Sequence, residues 1–257
     1  MTPGMTVDMA ERASSARTQP KHKAEFDQFA AGYNAGMDNF VKHLAASGAD
    51  DFAEIRAEWL VHYVKAIGEG AGTSLLDFGC GSATFLKALR RARYGGTLAG
   101  CDVSNGMLEE ARRTWTEGAP PHLSLQPHDR LPYPLQCFDL TVASAVFHHI
   151  PPAERGRWYG ELYRVLRPGG RCIIFEHNPW NPVTRWVVSR TPIDANAVLL
   201  FPREAGAALR DAGFETISTS SIIFFPPRFK FFRPLERRLA WLPLGGQYVA
   251  VGRRPPT

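Results

Sequence analysis

The chain has only four cysteines, Cys80, Cys101, Cys137 and Cys172, with no CxxC pair and no metal-like clustering. That excludes a disulfide framework and leaves no metal ligand set legible in the sequence. Three of the four sit within or at the end of apolar runs, as small buried hydrophobes do in a reducing compartment. No apolar run reaches the roughly 20 residues that a bilayer-spanning helix needs. Residues 1–20 contain no apolar segment of a secretory signal, so a cytoplasmic location is expected. Blocks of like charge, internal repeats and low-complexity segments beyond residues 1–20 are also missing.

What is present suits one full domain with an accessory segment: 257 residues, 44% hydrophobic and 21% charged, enough to bury a core without staples. The net charge of +5 comes from 30 basic and 25 acidic residues, and part of the excess lies in Arg228, Lys230, Arg233, Arg237, Arg238, Arg253 and Arg254. Such a face can attract an anionic substrate, nucleic acid or a membrane surface, but a solvated, mildly basic face accounts for it as well.

Residues 1–20, rich in Ser, Ala, Thr and Arg, read as a flexible leader. Phe26, Phe29, Tyr33, Met37, Phe40, Val41 and Leu44 then recur at helical spacing, interrupted near Gly32 or Gly36. A second helix is expected after Asp50 and Asp51, which can cap it, through Phe52, Ile55, Trp59, Leu60, Tyr63, Val64 and Ile67. Residues 21–69 thus form an N-terminal helical cap, and the main domain occupies 70–257. From there short apolar runs alternate with helical patterns, the signature of βαβ units and a parallel sheet. Strands are expected at 74–78, 97–103, 123–126, 140–143 and 171–176, with helices at 83–92, 105–116, 153–165, 181–188 and 204–212. Two late strands, 216–225 and 247–253, flank a Pro- and Arg-rich stretch with a short helix at 234–241. They lack a compact helical crossover and suit an antiparallel C-terminal hairpin. The fold class is therefore α/β: a Rossmann-like, doubly wound seven-stranded sheet, mostly parallel.

The strongest local signal is Leu75-Leu76-Asp77-Phe78-Gly79-Cys80-Gly81-Ser82-Ala83-Thr84, an apolar strand running through a Gly-x-Gly turn into a helix. The glycines let the backbone approach a ligand closely at the strand's carboxyl end. A dinucleotide fingerprint would want a third glycine where Thr84 stands, although Asp102 has a plausible spacing for its ribose-binding acid. These features leave an NAD(P)-dependent oxidoreductase open beside an S-adenosylmethionine (SAM) site.

From Asp77 to Pro179 the chain resembles the class I SAM-dependent methyltransferases, particularly the type-11-like group acting on small molecules. The Asp77–Thr84 turn is similar to that family's first motif, and Gly100-Cys101-Asp102-Val103-Ser104 to its second. Phe138–Ser144 with Val146-Phe147-His148-His149-Ile150 resembles its fourth strand and the stretch after it. Glu161–Gly170 is similar to its helix and turn into strand 5. The resemblance implies that Asp77, Gly79, Cys80 and Gly81 line the methionine end of SAM, that Asp102 with Val103 takes the ribose hydroxyls, and that Met107 borders the adenine. It adds Ser144, and Tyr33 as a lid over the pocket, against the plain alternative of a residue on the apolar face of an amphipathic helix. S-adenosylhomocysteine (SAH) would be the product. The pattern departs at the acid expected four residues before Leu131-Pro132: Pro127 stands there. Asp129 can read the adenine from a shifted loop, or is a solvated loop acid.

Transfer to a small-molecule O or N acceptor, such as a secondary metabolite or sugar derivative, needs alignment and management of one proton. His148 and His149 follow strand 4, His177 follows strand 5, and imidazole suits a base near neutral pH. Satisfied structural histidines are the plain alternative. Arg185, Arg190 and Asp194 border the acceptor side, as anion ligands or as surface ion pairs. Nucleobase methylation is disfavoured because Ser144-Ala145-Val146-Phe147 replaces the Asn/Asp-Pro-Pro-aromatic motif of those enzymes. A non-catalytic SAM-binding regulator stays open.

Overall fold

In a computed structural model, the structure describes residues 49–69, 72–225 and 230–256. The proposed leader, the first cap helix and Tyr33 lie outside the described residues. Seven strands form one sheet in the order β3-β2-β1-β4-β5-β7-β6. They are β1 Ser74–Phe78, β2 Thr97–Asp102, β3 His122–Leu125, β4 Phe138–Ser144, β5 Leu166–His177, β6 Glu215–Ile222 and β7 Gln247–Arg253. The first five run parallel; β7 inserts antiparallel between β5 and β6. The late pair is thus antiparallel as expected, with β6 at the edge.

Strict alternation along the central strands explains why both faces of the sheet are covered. Leu75, Leu140, Val142, Ile173, Phe175, Val249 and Val251 belong to one core cluster. Their neighbours Leu76, Ala143, Cys172, Ile174, Tyr248 and Ala250 belong to the other. The first face receives helices α1 (Ala49–Ala66), α2 (Thr84–Arg91) and α3 (Asn105–Arg113). The second receives α4 (Pro152–Val165) and α6 (Pro202–Asp211). Two further helices, α5 (Pro182–Val188) and α7 (Arg233–Leu239), belong to the long excursion between β5 and β7. Among the described residues no helix is long and apolar enough to cross a membrane.

Several boundaries differ from the sequence expectation, β4 among them, which runs Phe138–Ser144 rather than 140–143. Helix α1 begins at Ala49, so Asp50 and Asp51 occupy its first turn rather than capping it. β2 stops at Asp102 because that carboxylate turns to accept the Ser104 N–H at 2.9 Å. β5 begins at Leu166, since Arg167–Gly170 bulges opposite Asp139 while pairing resumes at Arg171.

Asp139 is the latch at the amino edge. It accepts from the Ser74 N–H and the Ser74 hydroxyl, each at 2.7 Å, and from Arg167 Nη1 at 2.7 Å. Burial pushes its pKa up, but these donors outweigh it and hold the group below the usual carboxylate range. A depressed folded-state pKa contributes stability above the unfolded value, about 3.9, and loses it as pH falls through the lower folded one. Asp139→Asn should therefore lower Tm at neutral pH, and the gap from wild type should close below about pH 4, as read by thermal melts across pH.

Candidate active site

The strand order reverses between β1 and β4, and ligands of open α/β sheets bind at the carboxyl ends beside such a point. Here β1 ends in the glycine turn. The Gly79 and Cys80 N–H groups donate to the Cys101 carbonyl at 2.8 and 3.0 Å, and the Gly81 N–H to Asp102 Oδ2 at 2.8 Å. Both glycines take positive φ, +71° and +50°. A Cβ on Gly79 would lie 2.7 Å from Val146, so the turn packs directly on the loop after β4. A Cβ on Gly81 would meet nothing within 4 Å, so open space lies before its backbone.

Two acids face this turn. Asp77 is buried, and its Oδ1 has no hydrogen-bond partner among the described residues. Burial and then the nearby Asp102 carboxylate push its pKa well up, against Arg56. An orphaned oxygen in such a place calls for a cation or donor from outside. Asp102 Oδ2 accepts from the Gly81 N–H and Oδ1 from the Ser104 N–H. Ser104 caps α3 by accepting from the Met107 N–H at 3.1 Å. Met107 is buried and Val103 half-buried. The Cys80 side chain is buried in the core, so its part is in the turn. Asp129 is exposed in the loop after β3.

Arg56 of α1, which the sequence reading passed over, crosses the carboxyl edge. Its Nη1 donates to Ser144 Oγ and its Nε to Gln247 Oε1, both at 2.8 Å, joining α1 to the ends of β4 and the start of β7. A long polar side chain between the buried Ile55 and Ala57 was the one available signal.

The three candidate histidines come together on one wall. The His148 and His149 ring centroids are 4.1 Å apart, and His148 and His177 4.9 Å. Ala145 at φ +60° turns the chain into a short 3-10 segment, Phe147–His149. Glu176, buried at the end of β5, holds that segment. Its Oε1 accepts the Val146 and Phe147 N–H groups at 3.0 and 2.7 Å, and its Oε2 meets His148 Nδ1 at 2.6 Å. From the segment after α5, Asp194 Oδ1 stands 3.4 Å from His148 Nε2 and 3.5 Å from His149 Nε2. That segment is tied down by the Val198 N–H donating to the His148 carbonyl at 2.8 Å.

Charges sort accordingly. Burial pulls the His148 pKa down, but Glu176 and Asp194 outweigh it and hold it up at about 9. Burial, then the positive His148, brings His149 down to about 3 and His177 to about 4. Burial raises Glu176, and the His148 ring more than reverses that, leaving it at about 2. Glu176 and Asp194 thus favour the charged form of His148. Neither Glu176 nor Asp194 was singled out as a site residue from sequence. Asp194, there a neighbour of Arg185 and Arg190, pairs with histidines instead, while Arg190 lies 4.4 Å over the Trp186 ring.

Residues 76–174 match the family described as a methyltransferase domain. The chain is 27% identical to a demethylmenaquinone methyltransferase of Streptomyces avermitilis, over 94% of this chain and 97% of that one. It is 35% identical to Methyltransferase GfsG of Streptomyces halstedii, over 50% of this chain and 46% of that protein. In fold it is similar to magnesium protoporphyrin IX methyltransferase from Synechocystis, solved with SAH bound (TM-score 0.59, 18% identity, covering 90% of this chain and 99% of that one).

Truncating Glu176 to Ala strands two buried N–H groups and a buried imidazolium. Removing one partner of such a pair typically costs about 3–5 kcal/mol. Urea unfolding of Glu176→Ala should show a loss of that order, with the m-value unchanged.

Proposed function

We propose that this chain, in which residues 76–174 match a methyltransferase domain, works as a class I SAM-dependent methyltransferase that methylates a hydroxylated, largely apolar small molecule, with Asp77, the Gly79–Gly81 turn and Asp102 holding the cofactor. The orphaned Asp77 oxygen is the observation that carries the cofactor assignment. SAM brings a cationic amino group and a vicinal diol. Asp77 supplies a buried negative partner for the first, and Asp102, a carboxylate with two oxygens at the end of β2, suits the second. Open space before Gly81 leaves room for the cofactor's amino-acid end. Val103 and Met107 border the adenine side, and Ser144, fixed by Arg56, stands between this turn and the histidines. Bound SAM supplies a methyl group already activated by its sulfonium, so the protein's share is alignment and one proton.

On the acceptor side, β4 lies next to β1 and β5 next to β4, which sets the histidine wall beside the glycine turn. His177, uncharged and half-buried at the end of β5, receives the acceptor's proton, and His148 and His149 shape the wall. The segment bringing Asp194 exposes Trp180, Val183, Trp186 and Phe201, with Trp180 and Phe201 in ring contact at 6.0 Å. Such an aromatic rim favours an apolar acceptor over a free sugar. A phenolic hydroxyl fits best, because once deprotonated it is nucleophilic at oxygen and at the ring carbons beside it. That accommodates the oxygen half of the O or N acceptor expected from sequence, and the quinone relative found by comparison.

Calorimetry with SAH, run below the melting temperature of each protein, should show binding to the wild type and a loss of tenfold or more, about 1.4 kcal/mol, in Asp102→Ala. Incubated with SAM and a panel of phenols, hydroquinones and sugars, the protein should methylate members of the first two groups. SAH binding without turnover on any of them would make the protein a regulator. His177→Gln should reduce kcat by about a hundredfold, the usual share of a general base, and leave SAH affinity intact.

A further inference from the structure

We propose that His148, His149 and Asp194 form a binding site for one divalent transition-metal ion, with Glu176 orienting the first ligand. One ring nitrogen of each histidine and one Asp194 carboxylate oxygen all lie within 4.8 Å of one another. Two ligands each about 2.0–2.1 Å from a tetrahedral ion stand roughly 3.3–3.4 Å apart. The two Asp194-to-histidine separations are 3.4 and 3.5 Å, too long for good hydrogen bonds and close to that ligand spacing.

Three further observations point the same way. His148 Nε2 is buried with no hydrogen-bond partner among the described residues, an expensive condition unless something binds there. On the far side of the same ring, Nδ1 meets Glu176 at 2.6 Å, the carboxylate–histidine arrangement that aims the other nitrogen at a metal. Glu176 in turn is fixed by two backbone N–H groups, so the aim is rigid. Side-chain exposure rises from 1% at His148 through 9% at Asp194 to 19% at His149, which leaves a fourth position on the open side for water or an acceptor oxygen.

Two imidazoles and one carboxylate suit zinc, cobalt(II), iron(II) or manganese(II) better than magnesium or calcium, which prefer all-oxygen shells. Two carboxylates beside the rings give the site the negative charge a dication needs. In the metal-free protein a proton on His148 takes that place, and the ion displaces it. The ion's use, binding and orienting the acceptor's hydroxyl at the open position, rests on the methyl-transfer reading; its binding does not.

The full chain, stripped with a chelator and titrated with Co2+, tests this. About one Co2+ per chain should bind, with the intense visible absorption of a tetrahedral nitrogen–oxygen site. Asp194→Asn and His149→Gln should each abolish that absorption while SAH calorimetry stays at the wild-type value, which also shows that the variants fold. Absence of Co2+ uptake by the wild type, or uptake and spectrum unchanged in both variants, would overturn the proposal. Because SAH binding is read in the metal-free protein, such a result would leave the methyltransferase reading standing.

Discussion

The buried carboxylate of Glu176 fixes the geometry on which the acceptor side depends. It sits at the end of β5, where a parallel sheet offers the loop after the neighbouring strand no ladder partner. By taking the N–H groups of Val146 and Phe147 it replaces those missing bonds, and by pairing with His148 it acquires a counter-charge. A charge so deep persists only when its lone pairs are this fully engaged. The loop it holds carries two histidines and also Val146, against which Gly79 packs with no room for a Cβ. The histidine wall and the glycine turn are therefore braced through one contact.

Acids accumulate along this edge for a common reason. Asp77, Asp102, Glu176 and Asp194 all lie at or beyond strand ends, where the chain leaves the sheet and side chains can converge. Glu176 and Asp194 are offset by histidine. Asp77 has no such partner, and Asp102 adds to its burden. That imbalance is the expected state of a pocket shaped for a cationic ligand, since a protein that satisfied every acid internally would have nothing left for the ligand.

The α/β architecture was legible because the sheet is covered on both faces. Central strands read as apolar runs, and glycine, Asn and Pro punctuate them, so β1, β2 and β7 emerge nearly to the residue. Boundaries slipped where a side chain or bulge overrides pattern: Asp102 ends β2 by bonding Ser104, and Arg167–Gly170 stays within β5 although it reads as a turn. The Gly79–Gly81 turn was equally legible, because its residues are contiguous and its glycines are demanded by the local backbone.

The sequence by itself determined the layered sheet, the Gly79–Gly81 bend and the acid at its partner strand's end, because each is encoded within a dozen neighbouring residues. Only the tertiary structure decided what the histidines are. His148, His149 and His177 looked like rivals for one role, but packing separates them into one charged ring and two uncharged ones. Asp194 stands some 45 residues beyond His149, in a segment without a motif, and Arg56 belongs to another helix altogether. Burial and the distances between groups remote in the chain set their charges and partners, and neither quantity is carried by a linear pattern.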